Sequence, residues 1–256
     1  MPVHTTEAVI LRTWPVHEAD LVVSFFTRDF GRLKGIAKSA LKSRKRFGGA
    51  LEPMTLARAF FAERPRQELV RLDQLEVVRS PLAGPVDSAR LAALSFYAEL
   101  LDEVLPEHDP QDAVFRLLVA VLEHTGAGGG EENGAGPWMA VTYFSLWMAR
   151  LMGLLPDLGR CIVCGEALAL HAADSWFSPY SDGVVCGLHR TANASALSAD
   201  SWQLAQRMLR EPVGAFAGEP WGRRRGQDLR RFTLGSLERH LERRLKSAEA
   251  LARLGG

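Results

Sequence analysis

The chain has 256 residues, 47% of them apolar, enough to bury a core in one large domain or two small ones. Its formal charge of +1 excludes a uniformly cationic or anionic binding protein, and no stretch approaches the roughly 18 uninterrupted apolar residues of a membrane span. The opening MPVHTTEAVILRTW lacks the basic region, apolar block and small-residue cleavage site of a signal peptide. The three cysteines are an odd number, and a cytoplasmic protein is therefore expected.

In chain order, TTEAVILRTW, ADLVVSFFTR and GRLKGIAKS alternate apolar with polar residues and are rich in β-branched side chains, which predicts three strands. MTLARAFFAE and QELVRLDQLEVV predict two more, with Arg64, Pro65 and Arg66 between them suiting a hairpin turn. Five short strands in the first 80 residues fit a small closed barrel. The oligonucleotide-binding (OB) fold is the leading expectation, and an SH3-like barrel is its rival.

Between the third and fourth strands lies the run GRLKGIAKSALKSRKRFGGALEP. Four of the five lysines in the chain, Lys34, Lys38, Lys42 and Lys45, fall here, together with Arg32, Arg44 and Arg46. No acid interrupts the run between Asp29 and Glu52, and phosphate is the usual partner of such a stretch. A barrel with a basic loop can follow a phosphate backbone, and Phe47 is placed to stack a base beside it. The plainer reading makes Phe47 core and the lysines a solvated hairpin. A second candidate phosphate track is Arg223, Arg224 and Arg225 with Arg230 and Arg231, against which stands the frequency of Arg-rich surface helices in a chain that favours arginine.

From residue 85 the spacing becomes helical, with SARLAALSFYAELLDEVL, N-capped by Asp87 or Ser88, and then QDAVFRLLVAVLEHT. GAGGGEENGAG, residues 126–136, predicts a mobile loop, and 138–155 an apolar helix ended by Pro156. Near the C-terminus Leu234, Leu237, Leu241, Leu245, Ala248 and Leu251 form the buried stripe of one long helix, with Arg239, Arg243 and Lys246 opposite. Residues 87–132 carry a net −8 and 221–256 a net +6, so basic ends flank an acidic middle. The expected class is α+β: a barrel domain over 1–80, a helical domain over 81–155 and 195–256, and an insertion over 156–194.

That insertion holds all three cysteines, in Cys161-Ile-Val-Cys164-Gly165 and Cys186-Gly-Leu-His189. Two C-x-x-ligand corners at this separation match a structural zinc site, because a two-residue step turns both side chains toward one ion. His189 completes a Cys3His tetrahedron, with His171 as the competing fourth ligand. A redox pair expects a βαβ context that is missing, and ordinary buried thiols would not be confined to this spacing. A catalytic deaminase site expects H-x-E before P-C-x-x-C, whereas the H-x-E here, His240 to Glu242, follows the cysteines and Arg160 replaces the proline. There is no phosphate-binding G-x-x-x-x-G-K-[ST] and no recognisable catalytic set, so no enzyme is expected.

Taken together, AVILRTWPVHEADLVVSFFTRDFGRLKGIAKSALKSRKRFGGALEP, a helical body and a C-x-x-C insertion resemble the RecO family of recombination mediator and DNA repair proteins. The shared pattern is an E-x-D, here Glu18 and Asp20, then F-[FT]-x-x-x-G at 26–31, a lysine before small residues, a basic loop, and Gly48, Gly49, Leu51 and Pro53 at its end. The resemblance implies an OB-fold domain, a helical domain carrying a zinc ribbon, and binding of single- and double-stranded DNA. It further implies ATP-independent annealing of complementary strands, and action with the partner RecR to load RecA onto DNA covered by single-strand-binding protein, in the cytoplasm at the nucleoid. The alternative is an RNA-binding OB-fold module with a structural zinc. Two positions depart from the family: Ser39 stands where a glycine usually follows the lysine, and Val141, Thr142 and Tyr143 stand where many members have basic residues that bear on docking the acidic tail of single-strand-binding protein.

Overall fold

The computed structural model describes residues 2–63, 67–126, 136–168, 175–178 and 181–255. The expected turn at Arg64, Pro65 and Arg66 and most of the loop at 126–136 lie outside them. By compactness the chain forms two units, Met1–Leu122 and Glu123–Gly256.

In the first unit all five expected strands form: β1 (Val3–Pro15), β2 (Leu21–Thr27), β3 (Gly31–Ala37), β4 (Leu56–Ala62) and β5 (Val70–Arg79). They make one sheet of order β1-β2-β3-β5-β4, antiparallel at every pairing but β3–β5, that closes on itself. The 13-residue β1 is long enough to pair with β4 through Val9 and with β2 from Ala8 to Pro15, and it shifts register between Ile10 and Arg12 as it leaves one neighbour for the other. The β3 to β5 closure is short and parallel, through Gly35↔Val70, Ile36↔Arg71 and Ala37↔Leu72.

Strand alternation sorts the side chains. Along β3, Leu33, Gly35 and Ala37 are buried, while Arg32, Lys34 and Ile36 face outward. Ile10, Val23, Phe25, Leu33, Phe61 and Leu72 fill the interior. The run after β3 closes this core: a 3-10 turn (Ala40–Lys42) and a short helix α1 (Arg44–Phe47) bring Ala40, Phe47 and Ala50 into the same cluster. Phe47 is 1% exposed. Burying such a ring contributes about 1.5–3 kcal/mol, and the plug is as much core as the strands are. Phe47 is therefore not a base-stacking residue.

Helices α2 (Ser88–Val104) and α3 (Asp112–Thr125) follow. The Asp87 side chain caps α2 by accepting from the Arg90 N–H at 2.7 Å. These helices were expected to begin the second domain at residue 81, but α2 and most of α3 belong to the first unit. The cause is specific polar anchorage: Ser24 donates to Asp102 at 2.6 Å, Arg32 Nε donates to the Leu105 carbonyl at 2.8 Å, and Phe115 meets the Phe26 ring edge to face at 5.4 Å. The β2–β3 turn and the α2–α3 connection touch so closely that a Cβ on Gly31, at φ 70°, would lie 2.3 Å from the Asp109 carbonyl oxygen.

The second unit holds α4 (Gly136–Leu151), a two-stranded ribbon of β6 (Ser175–Phe177) and β7 (Ser195–Leu197), and α5 (Ala199–Met208), α6 (Gln227–His240) and α7 (Lys246–Gly255). Packing of α4 on α6 buries Val141, Thr142 and Tyr143. Thr142 accepts from Arg230 at 2.8 Å and the Tyr143 hydroxyl donates to the Glu211 carbonyl at 3.1 Å, so basic residues have no room there. The leucine stripe expected on one C-terminal helix is shared between two, because Glu242 takes φ 52° and ends the first helical run.

Candidate metal centre and nucleic-acid interface

Within the second unit, a turn closed by the Gly165 N–H on the Cys161 carbonyl (2.8 Å) presents Cys161 and Cys164, with Gly165 itself at φ 73°. A 3-10 turn (Gly187–His189) does the same for Cys186 and His189. Hydrogen bonds between Trp176 and Val185, at 2.9 and 2.8 Å, tie the second corner to the ribbon. The four ligand atoms lie within 4.8 Å of one another. His189 Nδ1 is 3.2 Å from Cys186 Sγ and 3.7 Å from Cys161 Sγ. Ligands about 2.1–2.3 Å from a tetrahedral ion stand about 3.6 Å apart, so the donor set fits one such ion. Burial pushes the Cys161 thiol up, but backbone N–H groups of Cys164, Cys186 and Val163 outweigh it and bring the group down to about 6, so it is poised as a thiolate. Three cysteines and one histidine make up this group, with no Asp or Glu among its members. His171, the competing ligand, lies outside the described residues.

The basic run of the first unit divides in two. Lys42, Arg44 and Lys45 are exposed on the plug and form no ion pair among the described residues. Arg46 donates to the Lys38 carbonyl at 2.6 Å and stacks 5.0 Å over Phe47. The cations nearer β3 are already matched: Lys38 with Asp20 at 2.7 Å, Lys34 with Glu107 at 2.7 Å, and Arg32 with Glu107 at 3.2 Å and Asp102 at 3.8 Å. Lys34 and Lys38 are thus neutralised in place, a feature invisible in a run free of acids, because Asp102 and Glu107 arrive from a distant segment. Asp20 had a local signal, its place in the E-x-D. Its carboxylate accepts from the Lys38 ammonium and from the Ser39 N–H (2.7 Å), and these two bonds, in that order, hold it below the usual carboxylate range. Ser39 itself sits at φ 55°, the left-handed backbone that favours glycine.

The second arginine group also divides. Arg223, Arg224 and Arg231 are exposed and form no ion pair among the described residues. Arg225 pairs with Glu219 at 2.5 Å and stacks 4.5 Å over Trp221. Arg230 is 5% exposed, bonded to Thr142 and to the carbonyls of Arg223 and Arg225, and stacked over Trp138; burial lowers it to about 10. It is a packing residue that clamps the 223–225 turn onto α4, not a phosphate ligand. Beside it a groove of about 410 Å³ is lined by Trp138, Val141, Phe177, Phe232 and Leu251, with Arg231 and Arg244 also among its walls.

The chain is thus a two-unit protein, a closed five-stranded sheet carrying an exposed cationic plug and a helical unit with a Cys3His cluster. The comparisons give that class its family. The model described as Recombination protein O N terminal matches residues 1–81, and that described as Recombination protein O C terminal matches residues 85–249. The chain is 48% identical over 249 residues to the DNA repair protein RecO of Koribacter versatilis (strain Ellin345), covering 97% of this chain and 98% of the relative. It is 34% identical over 252 residues to that of Anaeromyxobacter sp. (strain K), with 96% and 95% covered, and 31% identical over 257 residues to that of Pelotomaculum thermopropionicum, with 100% and 96% covered. The chain belongs to the recombination protein O (RecO) family, and its role lies in DNA repair and recombination.

Proposed function

We propose that the chain is a non-enzymatic, ATP-independent DNA-binding mediator. In this reading it anneals complementary strands and, with RecR, helps RecA load onto single-stranded DNA covered by single-strand-binding protein. The closed sheet is read as an OB-fold barrel and the Cys3His centre as a structural zinc site that holds the ribbon. The carrying observation is the plug, where Lys42, Arg44 and Lys45 stand exposed and unpaired on a segment fixed by the buried Phe47. Such an array meets phosphates without being ordered first. The groove whose walls include Arg231, Arg239 and Arg244, beside Glu238 and Glu249, is the candidate dock for the acidic tail of single-strand-binding protein.

The test is annealing of complementary oligonucleotides by the full chain, with and without the matching single-strand-binding protein, beside competition between DNA and RNA. Annealing that persists on covered strands supports the proposal. Indifference to the covering protein leaves a generic binder, and a clear preference for RNA favours an RNA-binding module with the same zinc ribbon.

A further inference from the structure

The outer face of β3 carries a second row of positive charge. Arg32 and Lys34 stand two residues apart on that side, about 6.6 Å along the strand, and Lys38 follows in the turn just past the strand's end. Each is capped by a carboxylate: Arg32 by Asp102 and Glu107, Lys34 by Glu107, Lys38 by Asp20. The three caps differ in how firmly they hold. Arg32 and Asp102 have side chains only 12% and 11% exposed, Arg32 Nε is also bound to the Leu105 carbonyl, and Asp102 accepts from Ser24. Asp20 is held by the Ser39 N–H as well as by Lys38. The Lys34–Glu107 pair has side chains 40% and 37% exposed, and an ion pair that open to water is worth only about 0–1 kcal/mol. A phosphate, which accepts from lysine equally well, can replace the carboxylate there.

We propose that Glu107 acts as a tethered counter-ion for Lys34, closing an extension of the nucleic-acid track onto β3 that opens when a strand engages the neighbouring plug. The carboxylate is delivered by the α2–α3 connection, whose backbone is fixed independently of the ion pair: the His108 N–H donates to the Arg32 carbonyl at 3.0 Å, and the close approach at Gly31 leaves no slack. The side chain can therefore leave Lys34 without the connection lifting. Physically, a free lysine sheds a diffuse salt ion when it meets phosphate, and affinity through it falls as salt rises. A lysine holding its own carboxylate has no such ion to shed. Its contact adds little to affinity and nothing to the salt dependence until the carboxylate is neutralised.

This inference rests on the DNA-binding reading, and the experiment separates the two. Binding of a fluorescent single-stranded DNA oligonucleotide to the full chain is measured from low to moderate salt for wild type, E107Q, K34A, the double variant K34A/E107Q, and a plug variant K42E/R44E/K45E. Glu107→Gln keeps the shape of the side chain and the backbone bonds around it. The expected result is that E107Q binds about fivefold tighter at about 0.1 M salt, with a log–log salt slope steeper by roughly 0.7, the value for one added single-strand contact. Lys34→Ala should weaken binding several-fold more in the E107Q background than in wild type. Equal effects of Lys34→Ala in both backgrounds, or an E107Q variant of wild-type melting temperature with unchanged affinity and slope, overturn the tether. A plug variant that binds like wild type removes the plug from the track and the tether with it, whatever E107Q does, whereas a wild-type chain that binds no oligonucleotide overturns the DNA-binding reading itself.

Discussion

Ser39 holds φ 55° at the start of the plug, a backbone that costs an L-residue about 1–2 kcal/mol. The cost is offset by its N–H bond to Asp20, and a glycine would accept the same bond geometry without the steric term. Ser39→Gly should raise stability by roughly 0.5–1 kcal/mol in chemical denaturation, with DNA affinity unchanged; a loss of stability would show that the serine side chain does more than tolerate the turn. Asp20 gives a pH signature. Its pKa is lowered on folding, so its contribution is complete above its ordinary value of 3.8 and is lost as pH falls through the lower folded value. Asp20→Asn should flatten the acid limb of the stability curve, read by thermal melts from pH 7 to about 2. At this scale the sequence was a partial guide. The lysine cluster announced itself, but Phe47 and Arg230 could be placed only by packing: a phenylalanine amid seven cations and an arginine in an Arg-rich run look exposed until the volume they fill is known.

Among elements, the five strands were legible because two-residue alternation is a direct image of a sheet with one buried face, and the Cys3His cluster was legible because its members are local pairs. The break between α6 and α7 was not. Leucines continue through it at helical spacing, and the residue that turns the chain is Glu242, neither glycine nor proline. That α2 and most of α3 pack with the sheet was not legible either, because contacts such as those at Ser24 and Arg32 leave no periodic trace. For the metal centre, elemental analysis of the purified chain should give one zinc ion per molecule, strongly reduced in His189→Ala. Amide exchange should then speed up across 161–189 while unit Met1–Leu122 keeps its protection. Full retention in His189→Ala would move the fourth ligand to His171 or to water.

For the whole molecule, charge is segregated rather than abundant, and the salt dependence of binding tests the proposal that the plug meets DNA. With Lys34 and Lys38 paired, Lys42, Arg44 and Lys45 are the plug cations that form neither an ion pair nor a backbone bond by their side chains among the described residues. Converting Lys42, Arg44 and Lys45 together to Glu should lower affinity by orders of magnitude at moderate salt and flatten the log–log slope by about 2 for single strands and nearly 3 for duplex. Base preference should hardly change, because phosphate contacts set position without reading sequence. If affinity and slope survive, Arg223, Arg224 and Arg231 on the second unit become the stronger candidates.

The burial of Phe47, Ala40 and Ala50 beneath the cationic residues also fixes the temperature behaviour of the encounter. A basic arm that folds onto its target hides fresh apolar surface, and the heat capacity of the system drops as it does so. Here that surface is already hidden before any strand arrives. Under the proposed function, association through the plug would release ions into solution without condensing the protein, and its enthalpy is expected to stay nearly level from cold to warm. On the proposed reading, strands are then held about as well in a cold cell as in a warm one.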